Sequence, residues 1–301
     1  MRTNNFKKNS FPSSCFGTPV IHPFEDTDVP LPCEADAMLT GQIAAMQRNG
    51  ISLLEIRGVD GENISVLSPA KVREVANLLS DNGLKVWSIG SPTGKITLRD
   101  DWKAHLDSFK GMLDAAAVFG AEAFRMFSFY DAQGEKNEVI DRLGTLCDIA
   151  KGYDVKLCHE NEKGIFGDTP QRTRELLDAL PGLGGIFDPA NFIQCGADIL
   201  PAWELLKDRI DYLHIKDAMK DGTVVPAGYG VGCLETVVTD FLRRGGEVLT
   251  LEPHLSEFTG LQGLEKEGER TIVGSAHFSY RDNNESFDAA VNALKAILNR
   301  S

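Results

Sequence analysis

The strongest signal in this 301-residue chain is the run Leu157-Cys158-His159-Glu160-Asn161-Glu162-Lys163-Gly164. Mostly apolar residues from Val155 to Cys158 change abruptly to His-Glu-Asn-Glu. This change is typical of a buried parallel strand that ends at the rim of a site and presents a carboxylate there. The pattern therefore predicts a functional site at the end of this strand.

The same change from apolar to polar recurs at three later points of the chain. These are Gly185-Ile186-Phe187 before Asp188, Asp211-Tyr212-Leu213 before His214, and Val248-Leu249-Thr250-Leu251 before Glu252. Each interval between two such ends has room for about one strand and one helix. Three carboxylates and one imidazole at four successive strand ends predict a divalent-cation site made by Glu160, Asp188, His214 and Glu252.

Apolar periodicity predicts eight strands that alternate with helices. The strands are predicted at 19–22, 51–57, 84–90, 121–127, the run that leads to Glu160, 183–188, 210–214 and 248–252. The helices are predicted at 35–49, 68–82, 101–119, 137–152, 169–177, 199–207, 234–242 and 287–298. Eight such pairs without a dividing linker fit a single-domain (β/α)8 TIM barrel over residues 18–301. The competing doubly wound sheet usually has a G-x-G-x-x-G turn after its first strand, and the sequence has none.

Three segments lie outside this alternation. Residues 1–17 are polar and slightly basic and lack the apolar stretch of a secretory signal. They are expected to be a disordered extension, or one that depends on how the chain is expressed. Residues 26–32 contain two prolines and are predicted to be a loop. The long charged segment 255–281, which carries three aromatic residues, is predicted to form a lid or a subunit contact.

Composition narrows the class of partner. The net charge of −13 argues against nucleic acid and against an anionic membrane surface, because both need a basic contact face. No apolar run approaches the ~20 residues that span a bilayer. The six cysteines are scattered without a Cys-x-x-Cys pair, which indicates free thiols in a reducing compartment. The protein is therefore expected in the cytoplasm, and a homo-oligomer is compatible with its acidic surface.

Residues beside the first strand end allow two interpretations. Glu160 and Glu162 are two residues apart and face the same way on an extended strand, so either is a candidate ligand. Glu160 is preferred because it lies nearer the apolar run, and Glu162 would then contact substrate or cap the loop. His159 should point away from the ligand. It is either a hydrogen-bonded histidine of the barrel wall or a catalytic acid/base.

Further charged residues lie on other predicted strands. Lys216 follows His214 by two residues and should share its face, where it would stabilise a developing oxyanion, bind a substrate hydroxyl or pair with a local acid such as Asp217. Arg125, and Glu55 with Arg57 on the second strand, are either ion pairs of the barrel or substrate contacts.

Two loops after strand ends are also candidates. The segment Val225 to Gly232 has three alternating glycines, which permit tight turns; a turn into the next helix is a simpler interpretation than a phosphate cradle. Lys95, at the end of Ser91-Pro92-Thr93-Gly94-Lys95, would reach an anionic substrate.

Five short motifs occur in order along the chain: Glu160-Asn161, Phe187-Asp188-Pro189-Ala190-Asn191, Leu213-His214-Ile215-Lys216-Asp217, Pro226-x-Gly-x-Gly and Leu251-Glu252-Pro253. With them the chain resembles the xylose-isomerase-like (sugar phosphate isomerase/epimerase) TIM-barrel superfamily over roughly residues 51–298. The resemblance implies a metal site at Glu160, Asp188, His214 and Glu252. In epimerase members the first and last glutamates also transfer the proton. Mn²⁺ suits such an oxygen-rich set best, with Mg²⁺, Co²⁺ or Zn²⁺ as alternatives.

The resemblance implies a divalent-metal-dependent isomerase or epimerase of a small carbohydrate or polyol. The alternatives are a lyase on the same site, either an inosose-type dehydratase or a 3-keto C-glycoside deglycosidase, and a non-catalytic sugar-binding barrel. Asn191 stands where epimerases have a histidine, so substrate contacts are expected to differ from theirs. The candidates for these contacts are Glu162, Lys216, Asn191, Arg125 and His159. Endonuclease IV, another member, has a larger histidine-rich cluster that a chain with six histidines does not match.

Overall fold

The computed structural model describes residues 30–31, 35–256 and 278–300. Eight parallel strands form one sheet in which neighbours along the chain are neighbours in space. They are β1 Pro30–Leu31, β2 Leu53–Ile56, β3 Lys85–Ile89, β4 Ala123–Met126, β5 Lys156–Glu160, β6 Gly184–Phe187, β7 Ile210–Ile215 and β8 Leu249–Leu251. The first strand also lies beside the last one. The sheet therefore curls into a nearly closed barrel, and the predicted (β/α)8 fold is confirmed.

Helices follow the strands and cover the sheet. They are α1 Leu39–Asn49, α2 Pro69–Asp81, α3 Trp102–Phe119, α4 Lys136–Ala150, α5 Pro170–Ala179, α6 Pro189–Gln194, α7 Ile199–Leu206, α8 Leu234–Arg243 and α9 Asn283–Leu298. Short 3-10 turns occupy Ile64–Val66 and Phe166–Asp168, and one antiparallel ribbon pairs Gly58–Val59 with Glu62–Asn63. Every residue of β4, β6 and β8 is buried, as expected for a sheet covered on both faces.

Helix starts follow their capping residues closely. Ser68 and Thr169 accept hydrogen bonds from the first turns of α2 and α5, each with a proline at the next position, as the sequence predicts. Helix α9 begins at Asn283, four residues before the predicted start at Phe287. Its first turn is polar and therefore has no apolar periodicity, but Asp282 caps it by accepting from the Glu285 N–H at 2.9 Å. The Asp-x-x-Glu pattern of a capping box marks this start.

The first strand differs from its prediction. The predicted strand at 19–22 lies outside the described residues. The structure forms β1 from Pro30 and Leu31, which pair with Leu53 and Leu54 of β2. The prediction that residues 26–32 are entirely loop is therefore wrong at these two positions. Proline has no N–H to donate and is tolerated at the first position of a strand, so such a short segment looks like a loop in sequence.

Among the described helices, the last one packs on the first. Arg48 of α1 pairs with Asp288 of α9 at 2.8 Å, and Lys295 Nζ donates to the Asn49 carbonyl at 3.2 Å. The predicted extension 1–17 and residues 257–277 of the predicted lid lie outside the part that the structure describes. Among the described helices, none is long and apolar enough to cross a membrane.

The glycine-rich loop after β7 folds around a side chain of its own. Asp217 and Ala218 pair with Val224 and Val225 in a short antiparallel ribbon. The Asp217 carboxylate then accepts hydrogen bonds from backbone N–H groups, and these belong to Gly228 (2.9 Å), Gly230 (3.0 Å), Gly232 (2.9 Å) and Ala218 (2.9 Å). A Cβ atom on Gly230 would overlap the Ala218 carbonyl oxygen. The loop amides that a phosphate cradle would need are therefore directed at this carboxylate.

Candidate metal centre

Four polar residues meet at the carboxyl end of the barrel. Glu160 is the last residue of β5, Asp188 follows β6 directly, His214 lies near the end of β7 and Glu252 follows β8. All four are buried, and one ligand atom of each lies within 4.8 Å of the other three. Parallel strands end on the same face of a barrel, which brings residues far apart in sequence together.

The imidazole of His214 lies against two carboxylates of this group. Its Nδ1 atom is 3.0 Å from Glu160 Oε1 and 2.6 Å from Glu252 Oε2. Asn191 Nδ2 adds a donor 3.3 Å from Glu160 Oε1 and also donates to the Asn161 carbonyl at 2.9 Å. Asn191 is thus held against the first glutamate, beside the position that a metal ion would take.

Three fixed cations lie against the carboxylates. Arg125 Nη1 is 3.2 Å from Glu160 Oε2, and Lys216 Nζ is 2.8 Å from Asp188 Oδ2 and 3.6 Å from Glu252 Oε1. Arg57 pairs with the other oxygen of Glu252. Arg57, directly after β2, and Arg125 of β4 are therefore ion-paired at the carboxyl end of the barrel. Lys216 pairs with Asp188 and Glu252, whereas Asp217 accepts backbone hydrogen bonds.

Burial and charge give the carboxylates different acidities. Burial raises the pKa of Glu160, but the neighbouring His214 and Arg125 charges outweigh it and bring it to about 2. Glu252 follows the same balance, since Arg57, Lys216 and His214 hold its pKa well below the usual range against burial. At Asp188 burial prevails over the Lys216 charge and raises the pKa to about 7. A divalent cation among these groups would favour the ionised form of all three.

The donor set fits a divalent metal ion. Glu160 Oε2, Asp188 Oδ2 and Glu252 Oε2 are buried and lie against charged groups, but none of these contacts counts as a hydrogen bond in the described part of the chain. Each oxygen therefore has lone pairs left that a metal ion would use. Carboxylate oxygens with one imidazole nitrogen suit Mg²⁺, Mn²⁺, Co²⁺ or Zn²⁺. Glu160, Asp188, His214 and Glu252 are the residues that would hold the ion.

The two remaining candidates near β5 lie apart from the four-residue group. Glu162 Oε2 pairs with Lys95 Nζ at 3.2 Å, so Glu160 alone of the two glutamates belongs to the group. His159 points to the opposite side of the strand, where its Nε2 lies 2.9 Å from Ser128 Oγ. Burial lowers the pKa of His159 to about 4, which keeps the ring neutral at pH 7. This is the arrangement of a hydrogen-bonded wall histidine.

Two further residues contact the four-residue group and were not predicted from the sequence. His254 is buried, with Nε2 3.5 Å from Glu252 Oε1 and a left-handed backbone (φ 43°). Its spacing, two residues after Glu252 across Pro253, is a signal that could have indicated it. Asn161 bonds to Asp188 twice, through its Nδ2 to the Asp188 carbonyl and through its Oδ1 from the Asp188 N–H, both at 2.9 Å. Its position directly after Glu160 is the corresponding signal.

The family model of the xylose isomerase-like TIM barrel matches residues 43–271, more than half of the chain. The chain belongs to that family. Two solved structures share the fold: L-ribulose 3-epimerase, with a TM-score of 0.69 at 18% identity, and the IOLI protein with a bound zinc atom, with a TM-score of 0.68 at 18% identity. The alignments cover 91% of this chain and 95% and 98% of the respective structures. At such identities the likeness concerns the fold alone.

A curated relative gives a further comparison. The chain is similar to 3-dehydroshikimate dehydratase of Bacillus anthracis, at 23% identity over 176 residues. This alignment covers 56% of the present chain and 62% of the relative. The proteins that the chain is similar to thus include one named as an epimerase and one named as a dehydratase.

Proposed function

We propose that the protein is a divalent-metal-dependent isomerase or epimerase of a small carbohydrate or polyol, with Mn²⁺ as the preferred ion. The observation that carries the proposal is the buried Glu160–Asp188–His214–Glu252 group, with ligand atoms within 4.8 Å of one another. Such an ion would polarise a carbonyl and its neighbouring hydroxyl and would stabilise negative charge on them. Likeness to L-ribulose 3-epimerase supports the choice of a sugar substrate.

The protein's own residues supply the proton transfer. Glu252 is ionised at neutral pH because its pKa lies well below the usual range, so it accepts the proton from the carbon beside the carbonyl. Glu160 is also ionised and faces the same His214 nitrogen as Glu252, and in this proposal it exchanges the second proton with the substrate. Lys216 and Arg125 lie within 4 Å of these carboxylates and would donate to the oxygen on which negative charge develops.

The proposal makes one direct prediction. Glu252→Gln keeps the shape of the side chain but removes the base, so turnover of a responsive ketose in Mn²⁺ should fall by roughly 10²–10⁴-fold. The measurement is a screen of ketoses and keto-polyols followed by kinetics on the best substrate. Glu204→Gln, the same change at an exposed glutamate, should leave turnover unchanged. Near-wild-type activity of Glu252→Gln would show that Glu252 is not the base and would contradict the proposed function.

A lyase is the second candidate, because the curated relative is a dehydratase. Both reactions begin with proton loss beside a carbonyl, and they differ in whether a neighbouring group then leaves. A leaving oxygen needs an acid of its own, and the candidates are His159 and Lys216; Lys216 is favoured because it lies 3.6 Å from Glu252 Oε1, whereas His159 points away. Product analysis separates the two: an isobaric product indicates isomerisation, and a product that has lost water or an aglycone indicates elimination.

Metal analysis separates both enzymes from a non-catalytic sugar-binding barrel. We expect stoichiometric metal after mild purification and rebinding of Mn²⁺ after chelation. Failure of both would favour the non-catalytic alternative.

The described cysteines support the proposal of a reducing, cytoplasmic setting, because all of them are free thiols: Cys147, Cys158, Cys195 and Cys233.

A further inference from the structure

We propose that Glu55 is a positioning residue for the metal centre: it holds the His214 ring with the proton on Nε2, so that Nδ1 is the nitrogen that binds the ion. The inference rests on the proposed metal site and deepens it. Glu55 lies on β2, whereas the four candidate ligands lie on or directly after β5, β6, β7 and β8. Glu55 is therefore a buried charge that does not belong to the candidate ligand set.

The two nitrogens of His214 face different surroundings. Nδ1 faces Glu160 and Glu252, at 3.0 and 2.6 Å, and both belong to the four-residue group. Nε2 faces the Glu55 Oε2 atom at 3.4 Å. Glu55 is fully buried and lies outside the four-residue group, and it contacts the ring nitrogen that does not face Glu160 and Glu252.

The neighbours of Glu55 make its carboxylate an acceptor. The Tyr212 hydroxyl donates to Glu55 Oε2 at 3.3 Å and the Thr250 hydroxyl donates to the same oxygen at 3.4 Å. Arg125 Nη1 lies 3.6 Å from the other oxygen. A carboxylate that faces two hydroxyl donors and a guanidinium is held as an acceptor, so the imidazole donates to it from Nε2. Nδ1 faces the carboxylates of Glu160 and Glu252, and a cation bound there would take the place of the Nδ1 proton.

This arrangement differs from a simple ion pair of the barrel. The distances from Glu55 to Arg125 and Arg57 are 3.6 and 4.0 Å, longer than the 3.2 Å between Arg125 and Glu160. The Glu55 oxygen nearest to the imidazole is also the one that accepts both hydroxyl groups. The two hydroxyl groups hold the Glu55 carboxylate in place by hydrogen bonds, and the carboxylate in turn orients the imidazole of His214.

Metal affinity tests the inference directly. Metal-stripped full-length protein is titrated with Mn²⁺ by calorimetry, and Glu55→Gln should raise the dissociation constant roughly 10–100-fold, as loss of a carboxylate behind a ligating histidine does. Tyr212→Phe removes one donor to Glu55 but keeps the carboxylate, and its dissociation constant should stay within about threefold of the wild type. An unchanged constant in a folded Glu55→Gln variant overturns the inference.

Nitrogen NMR gives a readout that a merely structural role would not change. In wild-type protein with ¹⁵N-labelled histidine and diamagnetic Zn²⁺, we expect His214 to show a protonated Nε2 and a metal-bound Nδ1. Metal on Nε2 overturns the inference even if Glu55→Gln fails to fold. If the wild type binds no metal ion at all, the proposed function fails together with the inference; if it binds one through Nε2, only the inference fails.

Discussion

Asn161 and Asp188 hold each other through side chain and backbone at once. The Asn161 amide donates to the Asp188 carbonyl and accepts from the Asp188 N–H, and both residues are buried. The pair joins the ends of β5 and β6 and so fixes the spacing between Glu160 and Asp188, the two candidate ligands beside it.

Asn161→Ala should therefore lower the free energy of unfolding by roughly 2–4 kcal/mol, because two buried backbone groups lose their partner. Urea denaturation of the metal-stripped protein measures this change. Asn77→Ala, the same substitution on the exposed face of α2, should change stability by less than about 0.5 kcal/mol. Equal effects of the two variants would show that the Asn161 pair is not structurally important.

The sequence indicates which residues converge, but not how they pair. Glu160, Asp188, His214 and Glu252 follow apolar runs, and the topology of a parallel barrel brings such ends together. Lys216 was open to several partners because a long side chain at a strand end reaches more than one acid. Only the three-dimensional structure shows it against Asp188 at 2.8 Å.

At the scale of elements, strong periodicity made most strands and helices predictable. The missed elements are short or polar: β1 has two residues, and α6 has six. Neither is long enough to show a period. Helix α6 nevertheless has a local signal, since Asp188 accepts from the Asn191 N–H at 2.9 Å and Pro189 occupies the first turn.

The loop after β7 depends on Asp217. Asp217→Asn leaves one accepting oxygen and directs an NH₂ group at backbone N–H groups. Amide exchange at Gly228, Gly230 and Gly232 should therefore accelerate about 10-fold or more, since each bond to an ionised acceptor contributes about 1.5 kcal/mol or more. Asp221→Asn, at an exposed turn of the same loop, is the control. Unchanged exchange in Asp217→Asn would mean that the glycine loop holds its shape without the carboxylate.

A second loop depends on His105 of α3. Its Nε2 accepts from the Gly94 N–H at 3.1 Å, which requires the neutral ring. Burial lowers the pKa of His105 to about 4, and the Arg142 charge adds to this effect. The unfolded chain, with a histidine pKa near 6.5, binds the proton more readily. The stability that this residue contributes is thus complete above about pH 6.5 and is lost as the pH falls from there towards 4.

His105→Gln removes the titrating group. The variant should lose less unfolding free energy than the wild type between pH 7 and pH 5, which urea midpoints at the two pH values measure. Other groups titrate in both proteins, so the difference between the two losses isolates His105. Identical losses would show that the pKa of His105 is the same in the folded and the unfolded protein.

At the scale of the whole molecule, helix α9 packs against α1, α8 and the last strand, β8. Leu294 is 2% exposed in the interface that this helix forms with the barrel. Leu294→Ala should cost about 2–5 kcal/mol of unfolding free energy while the transition stays single, because the helix and the barrel share one core. Leu200→Ala removes the same atoms from a side chain that is 43% exposed and should cost far less. A separate early transition in Leu294→Ala would instead indicate that α9 unfolds independently.

The ion pairs at the carboxyl end of the barrel have a consequence for how a metal ion would be taken up. The carboxylates of Glu55, Glu160, Asp188 and Glu252 are offset by Arg57, Arg125 and Lys216, with His214 among them. Because internal cations already oppose this negative charge, we expect the barrel to fold without an external ion. Folding and metal loading would then be separate steps. The share of metal-bound molecules would follow the free ion concentration by mass action, and a molecule that had lost an ion would be able to take up another.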